Sequence, residues 1–159
     1  MSLKVRIRFG EPYKNDSECC TGAKMVIDNF AELVKIDDIA GVVLYPGADT
    51  VLTKDDYKLS QELGLDLIDA PWETLTDITK KLSAKDGVVL RSLPKSMIAN
   101  NPYYRQDNPK YFSSPYKFST VEALIIALSV LEEEEHAILI AEENDMIEIV
   151  DTFKKTFGK

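Results

Sequence analysis

The sequence predicts an α/β protein, with parallel βαβ units through the first ninety or so residues and helices toward the end, in one domain or two small, closely packed lobes. Three observations carry that expectation. Short β-rich runs recur through the first ninety or so residues: Val5–Phe9, Gly41–Tyr45, Leu65–Ile68 and Gly87–Leu90. Helical stretches of about ten residues separate the later runs, the spacing of βαβ units. From Ser119 onward the pattern is helical to the end.

Each element has a local reason. Val5, Ile7 and Phe9 alternate with Lys4, Arg6 and Arg8, a half-buried strand signal. Ala23–Val34 reads as a helix after Thr21-Gly22, with apolar Met25, Val26, Phe30 and Leu33. The run GVVLY (41–45) is a buried strand halted by Pro46-Gly47. Thr53 is an N-cap with Asp56 three residues on, opening a helix to about Leu63 that Gly64 closes. Leu65–Ile68 is the next strand and ends in Asp69; Trp72–Leu82 is a helix and GVVL (87–90) a further strand. Residues 100–115, rich in Asn, Pro, Tyr and Ser, read as a long loop, of a length that is usually functional or disordered. Ser119 and Glu122 make a capping-box pattern before VEALIIALSVL, and two further helices follow, with Thr152–Lys159 fraying.

Composition narrows the function classes. The chain has 159 residues, 45% of them apolar and 29% charged, an ordinary globular balance. The longest apolar run, Val121–Leu131, is broken by Glu122 and Ser129 and falls short of the roughly 18 residues a membrane span needs. The opening MSLKVRIRFG lacks a signal peptide's apolar core, so a cytoplasmic location is expected. Cys19 and Cys20 are adjacent and offer no disulfide framework. His136 is the one histidine, so no zinc site is expected, and nothing in the sequence brings it to Cys20 as a catalytic pair. The net charge of −8 is awkward for a nucleic-acid binder. Its acid is concentrated after residue 130, however, while bases recur earlier, at Lys4, Arg6, Arg8, Lys80, Lys81, Arg91, Lys95, Arg105, Lys110 and Lys117.

In parallel sheets ligands sit at the carboxyl ends of the strands. Three such ends carry special residues: Tyr45-Pro46-Gly47, Asp69-Ala70-Pro71-Trp72 and Arg91-Ser92-Leu93-Pro94. These loops are the expected site.

Several segments, taken in order, carry a family resemblance: Asp16 and Cys20-Thr21-Gly22; Gly41-Val42-Val43-Leu44-Tyr45-Pro46; Asp69-Ala70-Pro71-Trp72; Leu93-Pro94 with Ala99-Asn100; and Pro115-Tyr116-Lys117-Phe118-Ser119-Thr120-Val121-Glu122-Ala123. On these the chain resembles the archaeal and eukaryotic small-subunit ribosomal RNA aminocarboxypropyltransferases, which are SPOUT-like and use S-adenosylmethionine. Two stretches depart from that pattern: NNPYYRQDNPKYFSS looks like an insertion, and the tail has Asn144-Asp145-Met146-Ile147-Glu148 where the family tends to carry Trp-Gly and an aromatic residue.

The resemblance implies a parallel-sheet N-terminal lobe over residues 1–92 and an all-helical C-terminal lobe over 93–159, a deep trefoil knot, a monomer, and S-adenosylmethionine held in a cleft. It implies transfer of the 3-amino-3-carboxypropyl group to a pseudouridine or N1-methylpseudouridine of small-subunit ribosomal RNA or a pre-ribosomal particle. Such a base is presented single-stranded or flipped, because pairing blocks its imide edge. Trp72 would cover the cofactor's methyl and sulfonium, a cation–π arrangement. Asp69 would hold the cofactor's amino group or take the imide proton; an ordinary carboxylate is a poor base unless burial raises its pKa. Thr21 and Thr120 would bind the amino-acid arm. Leu44, Pro46, Phe118 and Ala123 would form an apolar slot for adenine, with Leu93 and Tyr116 offering main-chain groups to its edge. Arg8, Arg91, Lys95, Arg105 and Lys110, interleaved with Tyr103, Tyr104 and Tyr111, would meet RNA. Each of these residues also has an ordinary structural role open to it: core packing, capping or surface charge. Two rival functions stay open: methyl transfer from the same cofactor, and a non-catalytic ribosome-assembly module that binds RNA.

Overall fold

The computed structural model describes residues 3–9, 30–34, 39–45, 48–69, 80–82, 84–85, 87–94, 96–97 and 120–157. Within them lies one all-parallel sheet of β1 (Val5–Phe9), β2 (Glu32–Leu33), β3 (Val42–Leu44), β4 (Leu65–Asp69) and β5 (Val89–Arg91). The strand order is β2-β1-β4-β3-β5. The short turn Lys54–Asp56 runs into α1 (Tyr57–Leu63), and α2 (Thr120–Val130), α3 (Glu134–Glu143) and α4 (Ile147–Phe157) close the chain.

Side chains alternate across a strand, so a sheet covered on both faces needs apolar residues at odd and even positions alike. Val5, Val42, Leu44, Leu65 and Leu67 point into a large core shared with α2, α3 and α4. Val43 points the other way, into a smaller cluster with Ile39 and Leu82, flanked by Val34, Ile68, Val88 and Leu90. The helix α2 is buried on nearly every side, because it lies between β4 and the pair α3 and α4. Its Leu124, Ile125, Ile126 and Leu128 are fully buried, which at about 1.5–3 kcal/mol each contributes on the order of 10 kcal/mol of hydrophobic stabilisation.

The opposite face also holds a polar centre. A half-buried β1 would leave Arg6 at the surface, yet Arg6 is buried, directly opposite Asp66 of β4. Its Nε donates to Asp66 Oδ1 at 2.6 Å and its Nη2 to Oδ2 at 2.9 Å, while Nη2 also donates to the Leu63 carbonyl. The Gly41 N–H donates to Asp66 Oδ2 at 3.2 Å. Burial pushes the Asp66 carboxyl above its ordinary range, and the Arg6 guanidinium and backbone N–H groups pull it back. Arg6 needed a partner that alternation along one strand cannot reveal.

Three expectations change. Residues 32–33, expected at the end of a helix, pair with β1 as an edge strand, because β1 offers an open ladder there (Arg6 opposite Glu32, Ile7 opposite Leu33); residues 23–29 of that expected helix lie outside the described residues. The strand expected from Gly87 starts two residues later, after a turn at residue 87. Fraying from Thr152 is not found: α4 continues to Phe157. Phe153 packs against the core and its ring lies 4.6 Å from that of Phe157, and Thr156 Oγ1 donates to the Thr152 carbonyl at 2.8 Å. Lys154 pairs with Glu134 of α3 at 2.5 Å. The helix closed by Gly64 is as expected, with a φ of 104° at that glycine.

Candidate cofactor cleft at the strand ends

The strand order marks where a ligand site is expected. From β1 the chain passes to β2 on one side of the sheet; from β4 it passes to β5, beyond β3, on the other. The connections leaving these two neighbouring strands diverge, and such a switch point is where open α/β sheets receive ligands. Phe9 and Asp69 are register partners at that point, so Asp69 is the last residue of β4 beside the switch point. Arg8 sits one residue back on β1, opposite Ile68.

The next strand ends are joined to one another. Leu44, the last residue of β3, pairs with Arg91, the last of β5, and the Tyr45 N–H donates to the Arg91 carbonyl at 2.8 Å. Beyond Arg91 the extension of β5 changes partner. Ser92 forms a parallel bridge with Val51: the Leu52 N–H donates to the Ser92 carbonyl at 2.7 Å, and the Ser92 N–H to the Thr50 carbonyl at 2.9 Å. Leu44 and Leu93, each 8% exposed, belong to the same apolar cluster as Met97 and Val121, with Ala123 packed against it.

Of the residues expected in the site, Leu44, Leu93 and Ala123 are thus brought into one cluster. Thr120 is the first residue of α2, which starts the helix bearing Val121 and Ala123. Thr21, Pro46, Trp72, Tyr116, Phe118, Lys95, Arg105 and Lys110 lie outside the described residues. Arg91, expected to meet RNA, turns its Nε to the Asp56 carboxylate, at 3.2 and 3.3 Å from the two oxygens, and its Nη1 to the Leu90 carbonyl at 3.0 Å. Sequence reasoning gave Asp56 a role at its helix start only. Nothing local pointed to a partner thirty-five positions away.

Two other polar features flank α1 and α3. Tyr57 Oη donates to Glu133 Oε1 at 2.9 Å, and this hydrogen bond, ahead of burial, raises the phenol's pKa above its ordinary value. His136 Nδ1 is buried without a hydrogen-bond partner among the described residues, and burial lowers the imidazole's pKa, with Glu133 opposing. No group of three or more His, Cys, Asp or Glu among the described residues is arranged to hold a metal. No helix among them is long and apolar enough to cross a membrane.

The fold defines the class: an α/β protein whose parallel sheet has its switch point between β1 and β4. The chain belongs to the family described as ribosome biogenesis protein, C-terminal, whose model matches residues 42–148. It is 30% identical over 138 residues to a 16S rRNA aminocarboxypropyltransferase of Sulfurisphaera tokodaii, covering 86% of this chain and 74% of that one. A protein of the same name from Saccharolobus solfataricus is 30% identical over 137 residues, with 86% and 75% covered. Among solved structures, the SAM-dependent rRNA:acp-transferase Tsr3 from Vulcanisaeta distributa superposes with a TM-score of 0.72 at 26% identity, over 96% of this chain and 81% of that one.

Proposed function

We propose that this chain transfers the 3-amino-3-carboxypropyl group of S-adenosylmethionine to a pseudouridine or N1-methylpseudouridine of small-subunit ribosomal RNA during ribosome biogenesis. The observation that carries the reading is the 30% identity, over 86% of the chain, with relatives named 16S rRNA aminocarboxypropyltransferases. The shared apolar cluster of Leu44 and Leu93 beside adjacent strand ends supports it, since adenine packs against apolar side chains.

Bound S-adenosylmethionine supplies a sulfonium whose adjacent carbons are all activated, so orientation by the protein selects which group is transferred. In this reading Leu44, Pro46, Phe118 and Ala123 grip adenine, and main-chain groups of Leu93 and Tyr116 meet its edge. Thr21 and Thr120 hold the amino-acid arm. Trp72 covers the methyl group and leaves the other arm facing the base. Asp69, at the mouth of the crevice, holds the amino group or accepts the imide proton of the uridine ring. Arg8, Lys95, Arg105 and Lys110 contact RNA phosphates. The sheet lobe (1–92) and helical lobe (93–159) close the cleft between them in a SPOUT-like arrangement with a trefoil knot, and the protein works as a cytoplasmic monomer.

Calorimetric titration of S-adenosylmethionine into wild type and Trp72→Ala tests the cleft. Binding that the substitution weakens by about 1 kcal/mol or more is the expected result. A transfer assay on ribosomal RNA then reads the product by mass, which separates aminocarboxypropyl from methyl transfer. No binding by either protein would leave a non-catalytic assembly module as the better account.

A further inference from the structure

We infer that the Asp56–Arg91 ion pair is a positioning device for the cofactor cleft, locking the segment after β3 onto the end of β5 so that Leu44 and Leu93 keep a fixed spacing. The inference rests on the proposed function, since it assigns the pair a task in holding S-adenosylmethionine.

The connectivity makes the case. Leu44 ends β3 and Leu93 follows β5, and both belong to one apolar cluster, so their spacing depends on two separate loops keeping their relative position. Main-chain bonds between the 50–52 segment and Ser92 tie those loops together: both backbone groups of Ser92 are used, toward Leu52 and Thr50. Such a bridge of one residue pair is short and frays easily unless its ends are anchored. Asp56 anchors both ends at once. Its Oδ2 accepts the Thr53 N–H at 3.1 Å, where the segment leaves for α1, and both its oxygens face Arg91 Nε, where β5 stops. Leu52, buried at 2% exposure, pins the middle of the segment to the core.

The pair is also sheltered. The Arg91 side chain is 22% exposed and that of Asp56 13%, so water screens it far less than an ordinary surface bridge. A guanidinium committed to Asp56 and to the Leu90 carbonyl is aimed into the protein. Arg91 is on this account a positioning residue, and the phosphate contacts fall to the other bases.

Two neutral variants test it. Asp56→Asn keeps an oxygen for the Thr53 N–H but loses the charge that holds Arg91; Arg91→Gln removes the charge from the other side. Both are compared with wild type by S-adenosylmethionine titration, by amide hydrogen exchange at Leu52 and Ser92, and by affinity for a ribosomal RNA fragment. The expected result is S-adenosylmethionine binding weakened about fivefold or more in each variant, faster exchange at those two amides, and RNA affinity within about twofold of wild type. In turnover, KM for S-adenosylmethionine rises while kcat at saturation is retained. Binding of S-adenosylmethionine within about twofold of wild type in Asp56→Asn overturns the inference and leaves the proposed function standing. RNA affinity lost in Arg91→Gln, with S-adenosylmethionine binding intact, overturns it in favour of a phosphate contact. A wild type that binds no S-adenosylmethionine overturns both.

Discussion

Replacing Arg6 by Met isolates what the buried ion pair in the sheet contributes. Met nearly preserves the aliphatic stem and removes the guanidinium, so Asp66, which is fully buried, keeps only backbone N–H donors such as that of Gly41. Breaking a buried pair from one side costs about 3–5 kcal/mol, a large share of the roughly 5–15 kcal/mol that holds a domain together. The cost has a pH signature. Without Arg6, the folded-state pKa of Asp66, already raised by burial, rises further. A raised folded pKa gives stability that is present below the unfolded value of about 3.9 and lost as pH rises through the folded value, so the deficit of Arg6→Met is larger at pH 7 than at pH 5. The double variant Arg6→Met with Asp66→Leu removes both charges. It leaves the Gly41 N–H and the Leu63 carbonyl without these partners, at about 1–3 kcal/mol apiece, and so costs less than the two single changes summed. Urea unfolding followed by circular dichroism, at both pH values and for all four proteins of the cycle, measures each quantity. A deficit below about 1 kcal/mol for Arg6→Met at pH 7, or single effects that add to within about 0.5 kcal/mol, would refute the account of a desolvated, mutually dependent pair.

Three further outcomes are expected. A Cβ at Gly41 would overlap the Gly64 carbonyl oxygen, which accepts the Val42 N–H, so Gly41→Ala destabilises by about 1–3 kcal/mol or more in urea unfolding; an unchanged midpoint would mean the two backbones can part freely. His136 is held neutral by burial, with its folded pKa below the usual 6.5, so its contribution to stability is present above about pH 6.5 and lost as pH falls through the folded value. The fall in unfolding free energy between pH 7 and pH 5 is therefore shallower in His136→Gln, and equal slopes would exclude the imidazole as a cause. In an NMR titration Tyr57 ionises above the ordinary tyrosine range, and Glu133→Gln brings it back toward 10.0; a Tyr57 indifferent to that substitution would rule out the hydrogen bond as the source.

Much of the fold was legible in local pattern, because strand and helix periodicities are short-range properties. The runs at β1, β3 and β4, the helix from Thr53 stopped by Gly64, and the apolar stretch of α2 each reflect residues within one or two turns of one another. The expectation of a ligand site at the strand ends came from parallel connectivity alone. The resemblance borne by segments such as Lys117–Ala123 pointed to the family to which the chain belongs. The sequence by itself could not place what depends on pairing between distant segments. Strand order, and with it the switch point over Phe9 and Asp69, is set by which hydrophobic faces find one another after collapse. Edge strand β2 exists because β1 leaves a ladder open, against the helical spacing of its own neighbourhood. Arg6 looked like a solvent-facing base and Arg91 like a hand held out to RNA. Both are held instead by carboxylates sixty and thirty-five positions away, because a charge near a protein core is tolerable only where tertiary structure delivers its counter-charge.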